Sequence, residues 1–145
     1  MNNERLTKML KRHEGVRTHA YKCSAGYITC GAGRNLDPVG GIGLSEAEID
    51  MLLANDIARV DQELRDRFGW YSKLDSVRRD AMIDIAFNLG LTKLLGFKNA
   101  LAAMESGDYF FASIEFNASR WAEQVGDRAE ELCDMIETGE YRAAS

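Results

Sequence analysis

The stretch HEGVRTHAYKCSAGYITCGAGR, residues 13–34, passes from helical to extended patterning within a few positions. Upstream of it, Leu6, Met9 and Leu10 recur at helical spacing and predict a helix from about Glu4 to His13, with Gly15 as a natural stop just beyond. Downstream, Ala20-Tyr21-Lys22 and Tyr27-Ile28-Thr29-Cys30 flank Ser24-Ala25-Gly26, which predicts a β-hairpin whose turn relies on Gly26. An acid, Glu14, therefore sits at the end of a helix, and Cys23 and Thr29 lie on either side of a tight turn. A helix C-terminus carries partial negative charge, which disfavours an ionised carboxylate. Such a carboxyl suits a general acid.

Outward from this stretch, Gly31, Gly33, Gly40, Gly41 and Gly43 loosen the chain around its only proline, Pro38. Ser45-Glu46-Ala47-Glu48 is a capping box: hydroxyl and carboxylate can each satisfy the other residue's backbone amide. A long helix follows to about Asp66, with Ile49, Leu53, Ile57, Val60 and Leu64 predicted as its buried stripe. The rest of the chain reads as helical. Residues 76–90 are apolar on most faces and predict a central core helix. Shorter helices are expected near residues 98–106, 108–117, 120–124 and 127–138, punctuated by Gly107, Gly126 and Gly139. The fold class is thus α+β within one domain, residues 1–145. A small β-hairpin lobe (about 14–45) is joined by a long helix (about 46–66) to a larger all-helical lobe (about 67–145, with helix 4–13).

Composition excludes several classes of function. There is no run of about 18 apolar residues, so nothing is expected to be membrane-embedded. The first residues, MNNERLTKMLKRHEG, lack the apolar core of a secretory signal, which predicts synthesis in the cytoplasm. Residues 1–45 carry seven Lys and Arg against three Asp and Glu, a balance of +4, and residues 46–145 a balance of −9. A basic segment in an acidic chain suits an anionic ligand on that side. The chain has neither a dense basic stripe nor a nucleic-acid motif, so nucleic acid is not an expected partner. Cys23, Cys30 and Cys133 are an odd number and predict free thiols. They and His13 and His19 do not have zinc-ligand spacing, so neither metal nor cofactor is expected.

The segments Glu14-Gly15-Val16-Arg17, Ala20-Tyr21-Lys22-Cys23 and Gly26-Tyr27-Ile28-Thr29-Cys30-Gly31-Ala32-Gly33 closely resemble the phage-type lysozymes, the muramidase endolysins of glycoside hydrolase family 24. In that family eight residues separate a catalytic Glu from an Asp, and five more separate the Asp from a Thr. Here the same spacings link Glu14, Cys23 and Thr29. The resemblance continues through Leu74-Asp75-Ser76-Val77-Arg78-Arg79, Phe87-Asn88-Leu89-Gly90 and Gly96-Phe97-Lys98-Asn99-Ala100-Leu101. Ser119-Arg120-Trp121, Asp127-Arg128-Ala129 and Thr138-Gly139 complete it, so it covers nearly the whole chain.

The resemblance implies a lysozyme-like fold and hydrolysis of the β-1,4 bond between N-acetylmuramic acid and N-acetylglucosamine in peptidoglycan, in a cleft between the lobes. Glu14 would protonate the leaving oxygen and Thr29 would hold the attacking water. Arg128 matches an arginine that pairs with the catalytic Glu, Trp121 a tryptophan supporting the cleft floor, and Phe87 a residue lining it. Asn35, Ala100 and Glu115 stand at sugar-contact positions, with residue types that differ from the relatives. Arg34 replaces a histidine and would pair with Asp56, an exposed pair contributing about 0–1 kcal/mol. A monomer is expected, made in the host cytoplasm; without a signal segment, it would reach the periplasm and cell wall by holin-type release.

Position 23 is where the chain departs most from its relatives, because Cys23 replaces the Asp that assists water. A thiol with a pKa of about 8.5 is only slightly ionised at pH 7. Lys22 and Arg17 would promote its thiolate, whereas an ionised Glu14 nearby would oppose it. Four readings stay open: a hydrolase in which Cys23 and Thr29 position water with inversion, covalent attack by Cys23 with retention, a lytic transglycosylase that needs only the Glu acid, and a degenerate wall-binding module.

Overall fold

The computed structural model describes residues 4–142. Its elements are α1 (Glu4–Glu14), β1 (Arg17–Lys22), β2 (Ile28–Gly31), β3 (Arg34–Asn35), α2 (Glu46–Arg67), α3 (Ser76–Leu89), α4 (Leu91–Leu94), α5 (Lys98–Ser106), α6 (Tyr109–Asn117), α7 (Arg120–Val125) and α8 (Asp127–Thr138), with a single 3-10 turn at Tyr71–Lys73. This is the α+β, lysozyme-like architecture expected: mostly helix, with one small antiparallel sheet. By contacts the chain divides into two compact units, Met1–Leu52 and Leu53–Ser145. The boundary falls inside α2, and α1, which the sequence reading grouped with the helical lobe, belongs to the first unit. Among the described residues, no helix is long and apolar enough to cross a membrane.

In the first unit, α1 ends as its sequence dictates. Gly15 takes a φ of +74°, in the left-handed region, while its N–H closes the last turn on the Lys11 carbonyl at 2.9 Å. The sheet order is β1-β2-β3. Tyr21 pairs with Thr29 and Lys22 with Ile28 across the hairpin, and Thr29 pairs with Asn35 on the other side. The third strand was not anticipated; two residues are too few for an alternating pattern. The capping box forms as read. The Ser45 N–H donates to Glu48 Oε1 at 3.0 Å, and the Glu48 N–H donates to Ser45 Oγ at 3.2 Å.

The second unit holds the hydrophobic core. Leu64, Tyr71, Met82, Ile85, Leu94, Met104, Phe116 and Ile136 are all fully buried in it. α6 packs on both α5 and α8, and α3 packs on α8. The expected buried stripe of α2 needs correction: Val60 and Leu64 are buried, whereas Ile49, Leu53 and Ile57 are exposed. Only the last turns of that helix lie over the core; its first turns belong to the smaller unit, where Thr29 is the one buried residue among those described. Tyr71 is buried whole, and its hydroxyl donates to Asp61 Oδ1 at 2.6 Å. Burial and that bond together push the phenol well above its ordinary range.

Arg78 ties α3 to the end of α8. Its Nε donates to the Ile136 carbonyl at 2.6 Å and its Nη2 to the Glu137 carbonyl at 3.0 Å. The same guanidinium pairs with Asp75 Oδ1 at 3.0 Å and lies 3.8 Å from the centre of the Tyr109 ring. The carbonyls left unpaired at the C-terminus of α8 are thereby satisfied by a cation, which also complements the helix dipole.

Candidate active site

Glu14 is the last residue of α1 and is exposed. Its carboxyl is lodged against Gly33, which has a φ of +81°. A Cβ at position 33 would stand 2.8 Å from Glu14 Oε2 and 3.2 Å from Cδ, so only glycine leaves room for the acid where it lies. Gly33 appears in the sequence as part of a Gly-rich exit from the hairpin; its contact with Glu14 required the fold to become visible.

Cys23 opens the hairpin turn. Its N–H donates to the Tyr27 carbonyl at 2.9 Å, and its carbonyl accepts from the Gly26 N–H at 2.8 Å, with Gly26 at a φ of +87°. The thiol is half-buried and ionises below its ordinary range. The Tyr27 N–H is the largest cause; the Ala25 and Gly26 N–H groups and the Thr29 hydroxyl act in the same direction, against partial desolvation. This corrects the expectation that Lys22 and Arg17 promote the thiolate. The donors are the amides of the turn, and Arg17 instead stacks 5.0 Å from the centre of the Tyr21 ring.

Thr29 is buried at 4% exposure, in the middle strand of the sheet. Its Oγ1 stands 2.9 Å from the Tyr27 carbonyl, which competes with the Cys23 sulfur for the hydroxyl's one proton and leaves the oxygen's lone pairs as acceptors. Asn35 has a structural task. Its Oδ1 accepts from the Asp37 N–H at 3.0 Å, while its carbonyl accepts from the Gly43 N–H at 3.2 Å. Asp37 in turn accepts from the Ile28 N–H at 3.1 Å and the Val39 N–H at 3.0 Å, bonds that hold its carboxyl below the usual range. Arg34 pairs with Glu48 at 2.7 Å, not with Asp56, whose partner is Arg59 at 3.6 Å. Arg34 also donates to the Gly43 carbonyl at 3.1 Å, so one cation fastens the loop to the start of α2. With Arg34 and the Ser45 N–H as donors, the Glu48 carboxyl is lowered to about 2.

In the second unit, Phe87 and Arg128 line one cavity of about 440 Å³ together with Leu53, Ile57, Asp80, Ile83 and Asp84. Arg128 pairs there with Asp84, Nε at 2.8 Å and Nη2 at 2.6 Å from Oδ1. Asp84 is a long-range partner, within the same unit, that no local pattern announces. Trp121 is buried, and its Nε1 donates to Asn88 Oδ1 at 2.8 Å, while its ring meets Phe97 edge-on at 6.5 Å. Asn88, given no role from sequence, thus orients Trp121. Ala100 and Glu115 come together in a groove of about 240 Å³ with Lys98, Asn99 and Ser119. Ala100 is almost wholly buried and forms part of the groove's base. All three cysteines are free thiols, as the sequence reading expected; burial pushes the Cys133 thiol up to about 11.

A probable T4-type lysozyme of Dictyostelium discoideum is 26% identical, over 95% of this chain and 96% of its own length. An endolysin of Acyrthosiphon pisum secondary endosymbiont phage 1 is 32% identical, over 79% of this chain and 76% of its own length. The pre-baseplate central spike protein of Enterobacteria phage T4 is 27% identical over 94% of this chain, which spans 28% of that larger protein. With the profile of the phage lysozyme family matching residues 11–135, the chain belongs to that family.

Proposed function

We propose that this chain is an endolysin-type muramidase, a glycoside hydrolase that cleaves the β-1,4 bond between N-acetylmuramic acid and N-acetylglucosamine in peptidoglycan and so lyses the cell. The observation that carries this reading is the Glu14 carboxyl seated against Gly33, in the same unit as the Cys23–Thr29 turn. The names of the relatives, lysozyme and endolysin, favour hydrolysis over the transglycosylase and degenerate-module readings.

In this mechanism Glu14 gives its proton to the glycosidic oxygen as the C–O bond breaks. Water held by the Thr29 hydroxyl adds to the anomeric carbon from the opposite face. Cys23, whose charged form the turn amides favour, acts as thiolate to accept the water's proton and to offset the positive charge developing on the sugar. A thiolate in a cluster of N–H donors can take the place of a carboxylate here because the turn amides favour the charged form. Asn35 holds the hairpin exit, Phe87 and Arg128 line the cavity wall, Trp121 supports it, and Glu115 contacts sugar; Ala100, expected at a sugar-contact position, is too deeply buried to touch it and serves as the groove's base. Neither metal nor cofactor enters the reaction. The protein acts as a monomer on the wall, released from the cytoplasm by a holin-type pore.

Cys23 variants test this assignment by reducing-end release from purified peptidoglycan. Cys23→Asp is expected to keep or raise activity, and Cys23→Ser to lower it about 100- to 10,000-fold, as loss of a general base does. Wild-type rates should rise with pH through an inflection below the ordinary thiol range. Full activity of Cys23→Ser would remove the thiol from the mechanism.

A further inference from the structure

The face of α6 opposite the core is aromatic where a solvated helix would be polar. Phe110 is 62% exposed, Phe111 43% and Ile114 45%, and spacings of three and four residues place them on one face. Contiguous apolar surface of this kind marks an interaction site. Beside it, Asn99, Ala102, Ala103, Ser106, Asp108 and Phe111 line a groove of about 380 Å³ between α5 and the start of α6.

The local chain builds this groove deliberately. Gly107, at a φ of +83°, ends α5, and the Asp108 N–H donates back to the Ala103 carbonyl at 2.9 Å. Asp108 then caps α6 by accepting from the Phe111 N–H at 3.1 Å, which fixes the backbone carrying that ring. Two alanines make an apolar floor, Phe111 makes an aromatic wall, and the remaining lining groups are polar. Ser106 Oγ donates to the Ala103 carbonyl at 3.1 Å, leaving its lone pairs to accept. The Asn99 amide has no side-chain hydrogen bond among the described residues and can both donate and accept.

This combination matches a hexosamine, which has an apolar C–H face for a ring, a methyl for the floor and hydroxyls for the rim. Asn99 also lines the groove that holds Ala100 and Glu115, so the two grooves adjoin at that residue. From Asn99 to Ser106 is about 10 Å along α5, the length of a disaccharide. We propose that the α5–α6 groove is an accessory glycan subsite, in which Phe111 covers the apolar face of a hexosamine while Asn99, Ser106 and Asp108 bind its polar groups. This rests on the muramidase reading for its ligand, a strand of peptidoglycan running on from the adjoining groove.

The test uses the full chain carrying Glu14→Gln, so that bound wall is not cut. Co-sedimentation with purified peptidoglycan should show about 5- to 10-fold weaker binding on adding Phe111→Ser, and binding close to the parent on adding Phe111→Tyr. An N-acetylglucosamine trimer titrated into the parent should shift the Asn99, Ser106 and Phe111 amide resonances. Unchanged binding with Phe111→Ser, or a trimer that leaves those resonances still, overturns the subsite. So does sedimentation velocity in which the parent self-associates through Phe111, which would make the occupant a second copy. Reducing-end release by the wild type is scored separately. Its absence, with Phe111-dependent wall binding intact, would remove the muramidase reading and leave the subsite.

Discussion

Replacing Gly33 with alanine perturbs the acid without touching it chemically. Two costs follow from the structure. The backbone at φ +81° lies where an L side chain is strained, a cost of about 1–2 kcal/mol in folding stability. The new Cβ would also lie 3.2 Å from Glu14 Cδ and 2.8 Å from Oε2. Carbon pairs prefer about 3.5–4.0 Å, so the carboxyl must retreat by roughly 0.3–0.8 Å. A misplacement of about 1 Å costs on the order of 100-fold in rate, so a loss of about 10- to 100-fold in kcat is expected. Gly31 supplies the control: its φ is +68°, and a Cβ there meets nothing within 4 Å. Gly31→Ala should therefore show a similar stability loss in urea unfolding and nearly full activity on suspended peptidoglycan. Equal activity losses for the two variants, once both are shown folded, would refute the claim that Gly33 seats the acid.

Two further perturbations follow from single contacts. Arg78→Ala removes two hydrogen bonds to the end of α8, the Asp75 pair and the Tyr109 stack from a side chain only 16% exposed. Urea unfolding should show a loss of about 2–4 kcal/mol. Glu48 is held at about 2 in the folded state, below its unfolded value of about 4.3. Its contribution is present above about pH 4.3 and disappears as pH falls through about 2. The Ser45 amide resonance should report loosening of the α2 cap across that window, and Glu48→Gln should flatten the response.

What could be read from sequence was local. The capping box at Ser45 and Glu48, the stop at Gly15 and the hairpin around Gly26 each depend on residues within a few positions of one another, and each forms as expected. α4 and the 3-10 turn at Tyr71–Lys73 are shorter than the window over which periodicity can be recognised. Charge partners failed for a different reason. A long cation samples many acids, and choosing Glu48 over Asp56 for Arg34, or Asp84 for Arg128, needs the tertiary structure. The α2 stripe misled because its spacing identifies a face but not what that face rests on. At the site, the spacing of Glu14, Cys23 and Thr29 was legible. The seat at Gly33 and the amides around Cys23 were not, because backbone donors carry no sequence label.

Glu14 is proposed as the acid of a hydrolytic muramidase. That assignment is tested most directly by identifying the new chain ends when purified peptidoglycan is digested by the wild type and by Glu14→Gln. Free reducing N-acetylmuramic acid ends are expected from the wild type and none from the variant. Anhydro ends from the wild type, or undiminished cleavage by Glu14→Gln, would contradict it.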